Sequence, residues 1–149
     1  MIRNMCFKNA IKLVVCGAFV CCFAQVLSAQ TSAGVWKDSA TGLTWAAKDN
    51  GVDVNQGQAR EYCTALRTGG FSDWRLPTVD ELENLYDKNL KKANKVKGTI
   101  ELSDSCVPSA SLNPAGEVWN FCFSYGGRTL TRASGHGSGG RALCVRKSE

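Results

Sequence analysis

Apolar and polar positions along residues 35–46 form two short runs around a turn. Val35-Trp36-Lys37-Asp38 and Leu43-Thr44-Trp45-Ala46 flank Ser39-Ala40-Thr41-Gly42, a stretch with turn chemistry in which Gly42 is free to take positive φ. A β-hairpin is expected there. From Asn55 to Arg67 the period changes: Ala59, Tyr62, Cys63 and Leu66 recur at i, i+3, i+4, i+7 and share one helical face, with Arg60, Glu61, Thr64 and Arg67 outside. Asn55 caps this helix, Gln58 answers from the third position, and Gly69-Gly70 ends it. Trp74-Arg75-Leu76 then reads as an extended, buried arm with one charged tooth. Pro77 keeps Leu76 extended, and Thr78-Val79-Asp80-Glu81 is a second capping box. Leu82, Leu85, Tyr86 and Leu90 predict the buried stripe of the helix it starts.

Beyond Gly98 the periodicity weakens. Thr99-Ile100-Glu101-Leu102 predicts a short strand, and Ser103 to Ser111 reads as a loop pinned by Cys106. Glu117 to Phe123 alternates Trp119, Phe121 and Phe123 with Val118, Asn120 and Cys122, which predicts a strand. Ser124-Tyr125-Gly126-Gly127 turns it back into Arg128–Arg132, where Arg128, Leu130 and Arg132 share one face. Arg141 to Arg146 reads as a last strand.

The first 29 residues change both the charge and the cysteine count. A basic start without acids, an apolar run from Leu13 to Leu27 and the small residues Ser28-Ala29 read as a secretory signal peptide, cleaved after Ala29. Residues 30–149 are then one domain, too short for two. Of the 18 basic residues, Arg3, Lys8 and Lys12 leave with the leader, so 15 face 13 acids. That balance predicts no nucleic-acid partner, and no membrane association once the leader is gone. Four of the eight cysteines also leave. Cys63, Cys106, Cys122 and Cys144 remain, and in an exported domain they predict two disulfides. Three connectivities exist. The nested one is expected, with Cys63–Cys144 outside and Cys106–Cys122 inside, worth at most about 4.5 and 3 kcal/mol in the chain-entropy picture. A zinc site would need closely spaced CxxC or HxxxH pairs, and there are none.

Catalytic signatures are absent: no GxSxG, no HExxH, no paired carboxylates. Gly135-His136-Gly137-Ser138-Gly139-Gly140 is followed by a strand pattern, not the helix start that a phosphate cradle requires. Asp38, Asp49 and Asp53 lack the order of a calcium loop and read as local turn acceptors. Lys88, Lys91, Lys92, Lys95 and Lys97 form the one dense basic cluster. It reads first as the solvated end of the second helix, where cations suit the dipole, and second as an anion or sulfated-glycan patch.

Four segments together resemble a known family. They are Asp38-x-x-Thr41-Gly42-Leu43-Thr44-Trp45, Ala59-x-x-Tyr62-Cys63-x-x-Leu66, Gly70-x-x-Asp73-Trp74-Arg75-Leu76-Pro77-Thr78-x-x-Glu81-Leu82 and Leu143-Cys144-Val145-Arg146. The chain from about Val35 to Arg146 is similar to the DUF1566 family, also called the Lcl C-terminal domain after a collagen-like adhesin. The resemblance implies an exported α+β domain of C-type-lectin-like architecture. Two helices would pack on small antiparallel sheets, with a helix cysteine bonded to one in the last strand and a second bridge inside. It also implies a binding role, since the adhesin's domain engages sulfated glycosaminoglycans. Calcium-dependent lectins carry a Glu-Pro-Asn or Gln-Pro-Asp motif and a later Trp-Asn-Asp. Here Leu112-Asn113-Pro114 and Trp119-Asn120-Phe121 stand instead, so no metal and no cofactor are expected. No collagen-like repeat is present to drive trimerisation, and no oligomeric state is assigned.

The function expected is therefore a secreted, non-enzymatic module that recognises a glycan or anionic polysaccharide. Arg128, Arg132, His136 and Arg141 are the first candidate contacts, and Lys91, Lys92 and Lys95 form a second patch. The fold class also hosts formylglycine-generating enzymes, which work through reactive cysteines. All four cysteines here have structural assignments, so an enzyme is the alternative reading, and a structural or protein-binding surface domain is the third.

Overall fold

A computed structural model describes residues 34–132 and 140–149. The expected leader, residues 1–29, and His136 lie outside the described residues. Among the described residues the architecture is α+β, with two three-stranded antiparallel sheets and two short helices. The first sheet begins with the expected hairpin, β1 (Val35–Asp38) and β2 (Leu43–Ala46), paired Trp36 with Trp45. Asp38 organises its turn: one carboxylate oxygen accepts from the Ala40 amide and the other from the Thr41 hydroxyl, while the Gly42 amide closes on the Asp38 carbonyl. Gly42 sits at φ +68°. β6 (Val145–Lys147) lies on the other side of β2, giving the order β1-β2-β6.

The second sheet has the order β3-β4-β5, from Cys106–Leu112, Glu117–Cys122 and Gly127–Arg132. β3 corrects the expectation of a loop over residues 103–111. Pro108 and the serines weaken the strand pattern, but β3 is an edge strand, where a proline without N–H is tolerated. The register shifts between Pro108 and Leu112, so the pattern is also broken by a bulge. The strand expected at Thr99–Leu102 is reduced to a single parallel bridge between Glu101 and Lys48. The strand expected from Arg141 is shorter too: Arg141 makes an isolated bridge to Asp53, and regular pairing starts only at Val145.

α1 (Gln56–Ala65) carries the expected capping box, with the Asn55 side chain accepting from the Gln58 amide and Gln58 accepting from the Asn55 amide. It stops at Leu66, which is already extended, and a separate 3-10 turn, Thr68–Gly70, follows. α2 (Val79–Asn84) is shorter than its apolar stripe predicts. Leu85 and Tyr86 donate to Leu82 and Glu83, three residues back, and Tyr86 then leaves to bridge Val96. Lys97 caps the vacated end: its amide donates to the Leu85 carbonyl and its ammonium to the Asn84 carbonyl at 2.7 Å.

The larger core cluster gathers Trp45 from one sheet, Val107, Phe121 and Phe123 from the other, Leu82 and Leu85 from the α2 region, and Leu143 and Val145. A smaller cluster joins Ala59 and Cys63 of α1 to Trp74, Leu76, Ala142 and Cys144. Both bridges have the expected nesting. Cys63–Cys144 ties α1 to the C-terminal segment across 81 residues, and Cys106–Cys122 joins directly paired residues of β3 and β4.

Candidate functional site

The arm Trp74-Arg75-Leu76 is a clasp inside the fold. Trp74 and Leu76 are each 3% exposed, while Arg75 exchanges both backbone hydrogen bonds with Val145. Its guanidinium grips Glu81 at both oxygens, at 2.8 and 2.6 Å. One Glu81 oxygen also accepts the Thr78 amide at 2.8 Å. Burial alone would raise the Glu81 pKa, but Arg75 and Thr78 outweigh it and hold the carboxyl below the usual range. Arg146 is a second clasp that the sequence pattern did not reveal. It is 4% exposed, donates to Asp73 at 2.6 Å and Glu149 at 3.1 Å, and lies 3.8 Å over the Phe71 ring. The Asp73 carboxyl is held low chiefly by that Arg146 hydrogen bond. These charges serve the fold and leave little for a ligand.

The first candidate contacts do not form one patch among the described residues. Arg128 bonds Asp80 at 2.7 Å and Glu83 more closely, so it is committed to two carboxylates of α2. Arg132 lies on the same face of β5, four positions along, opposite Glu117. Arg141 sits against β3, the other edge of that sheet, with its amide on the Cys106 carbonyl and its guanidinium 2.8 Å from Asp53. Tyr62 lines a small cavity of about 180 Å³ with Lys48, Asp49 and Thr68. Burial and the Asp49 carboxylate raise its pKa, so it stays a neutral phenol at ordinary pH.

Lys91, Lys92 and Lys95 are brought together, with Lys88, on one loop. The Tyr86–Val96 bridge closes its ends, and it is not the helix end the sequence implied. Backbone bonds fix its stem: the Asp87 amide on the Lys95 carbonyl at 2.9 Å, and the Lys95 amide on the Phe123 carbonyl at 3.1 Å. Asp87 is the only acid in the loop, and its carboxylate accepts the Asn89 amide within the turn. Among the described residues, none of the four lysines makes an ion pair. Lys88, Lys91 and Lys92 are exposed and Lys95 is half-buried. A pinned loop with four unpaired ammonium groups presents a concentrated positive field without losing much backbone entropy on contact.

Lys92 also stands on the rim of an open groove of about 550 Å³ that runs between this loop and residues 98–102. Nothing in the sequence pattern marks the groove, because its walls come from two irregular segments. Gly98, at one end of that second segment, has φ +66° and lies under the Trp36 ring. The profile of the Lcl C-terminal domain family matches residues 34–146. No curated protein and no solved structure matches the chain.

Proposed function

This chain belongs to the Lcl C-terminal domain family, and from that premise we propose that it is an exported, non-enzymatic binding module for an anionic surface polymer, a sulfated or otherwise acidic glycan. One observation carries the reading: four lysines that make no ion pair among the described residues, on a loop whose only acid accepts a neighbouring backbone amide. The arginines of the C-terminal half take second place, because Arg128 and Arg141 already hold carboxylates. Two disulfides suit an oxidising compartment, and among the described residues no helix is long and apolar enough to cross a membrane. A C-type-lectin-like classification belongs with the same proposal. It is supported by the bond from a helix cysteine to Cys144, beside the last strand, with a second bridge nested inside.

The test is binding of the oxidised protein to sulfated, carboxylated and neutral polysaccharides across a salt series. Binding to the acidic chains should fade as salt rises, because the Debye length falls from about 30 Å at 0.01 M to about 8 Å at 0.15 M. Replacing Lys91, Lys92 and Lys95 together by Ala removes two exposed contacts and one half-buried one, of about 0.5–1 kcal/mol each. The affinity should drop roughly 10- to 100-fold. Absence of binding to every acidic polysaccharide at low salt overturns the proposal.

A further inference from the structure

The groove beside the lysine loop has a lining that a plain cationic patch lacks. Ala93, exposed, and Leu102, half-buried, supply its accessible apolar surface, backed by the buried Val96 and Ile100. Lys92 stands on one rim with its ammonium free of ion pairs. Asn94 uses its amide N–H groups to hold the Leu102 and Asp104 carbonyls at 3.3 and 3.2 Å. That fixes the side chain and leaves its carbonyl oxygen as an acceptor. Thr99 contributes an exposed hydroxyl. Glu101 stands on the opposite rim, where one carboxylate oxygen meets Lys48 at 3.1 Å and the other is free to accept.

The two walls are tied to each other and to the fold, so the groove stands formed before any ligand arrives. Asn94 spans the gap to residues 102 and 104, and the Glu101 amide is fixed on the Ala47 carbonyl at 2.8 Å. The volume falls within the range of small-ligand sites, about 300–1,000 Å³.

We infer that this groove is a subsite for a single sugar ring bearing one anionic substituent. The inference rests on the binding role proposed above and specifies what the loop's inner side selects. One cation calls for one negative group. Acceptors on Asn94 and Glu101 suit ring hydroxyls, which must donate. The apolar surface suits the C–H face of a pyranose. Glu101, already paired with Lys48, leaves no second free cation among the lining residues, so the groove favours a singly charged ring over a heavily sulfated unit, which remains free to meet the outer lysines.

The experiment uses the full oxidised protein, isotope-labelled, titrated with a glucuronic-acid-terminated disaccharide, its neutral glucose counterpart and a singly sulfated disaccharide. Heparin binding in a salt series is followed in parallel. The acidic disaccharide should shift the amide signals of Lys92, Thr99 and Glu101, and the neutral one should bind about two- to fivefold more weakly, the loss of one exposed ion pair. Thr99→Trp and, independently, Ala93→Trp fill the groove from exposed positions. Either should abolish the disaccharide shifts and leave heparin binding within about twofold. Equal binding of the carboxylated and sulfated disaccharides supports the single-anion class; preference for one names the source. Heparin binding that needs the lysines, with disaccharide shifts absent or indifferent to both tryptophans, overturns the groove and leaves the polymer-binding role standing. Disaccharide binding in the groove without any polymer binding does the reverse. Neither kind of binding overturns both.

Discussion

Replacing Glu81 by Ala removes three bonds at one point. The Thr78 amide loses its reciprocal cap and Arg75 loses both of its carboxylate contacts. A hydrogen bond to a charged group contributes about 1.5–3 kcal/mol when well shielded. The Arg75 side chain is 42% exposed, so solvent screens the pair and about 1 kcal/mol is assigned to it. The Thr78 amide is part-buried, and losing its charged acceptor costs about 1–2 kcal/mol. The total is roughly 2–3 kcal/mol. For a domain of this size that lowers Tm by roughly 10 °C. Glu81→Gln retains an acceptor for Thr78 and should lose about half as much. Denaturant unfolding of the oxidised protein, with Arg75→Ala and the double variant, completes a cycle whose coupling energy should be about 1 kcal/mol. A Glu81→Ala variant within about 0.5 kcal/mol of the parent, or a coupling indistinguishable from zero, would refute the clasp as a stabilising device.

Acid should weaken the same site. The Glu81 pKa is lowered in the fold, so its contribution is complete above its unfolded value of about 4.3 and disappears as the pH falls through the folded value. Unfolding midpoints measured from pH 6 to pH 2 should therefore fall less steeply in Glu81→Gln than in the parent. At Gly98, φ is +66° and an added Cβ would stand 2.1 Å from the Trp36 ring. Gly98→Ala should cost about 2–4 kcal/mol and shift tryptophan emission as Trp36 is displaced. Replacing Cys63 and Cys144 by Ala should destabilise more than replacing Cys106 and Cys122, about 4.5 against 3 kcal/mol from the closed loop lengths, read from urea midpoints. Arg128→Ala should leave polyanion binding within about twofold, because its guanidinium already faces Asp80 and Glu83; a larger loss would move the binding face to β5.

Features encoded within a few residues were readable from the chain. Asn55 with Gln58 and Thr78 with Glu81 announce their helices because each cap closes over three positions. The β1–β2 hairpin is announced by Asp38 and Gly42, whereas the nesting of the bridges, one of them across 81 residues, was a choice among three connectivities that the fold bears out. Features settled by distant partners were not. Arg128 looked available because Asp80 and Glu83 lie 48 and 45 residues earlier in the chain. β3 looked like a loop because its serines serve other elements: the Ser111 hydroxyl accepts the Val79 amide at the start of α2, and the Ser109 carbonyl accepts from Gln56 of α1. The lysine cluster was visible as charge, but its loop geometry depends on Val96 bridging Tyr86 and on Lys97 capping α2 in place of another helical turn.

The segment from Ala142 to Val145 is wholly buried and serves both core clusters at once. It supplies Cys144 to α1, Val145 to the Trp74-Arg75-Leu76 arm and one edge of the first sheet. A chain made from its N-terminus therefore cannot close its interior until these late residues have emerged. The early helix waits with a free thiol at Cys63 while Cys106 and Cys122 pass by first. Oxidation in strict order of emergence would join Cys63 to Cys106 and trap the wrong loop. The native pairing of Cys63 is therefore reached only if its oxidation lags behind the emergence of residue 144, or if a premature bridge is exchanged afterwards.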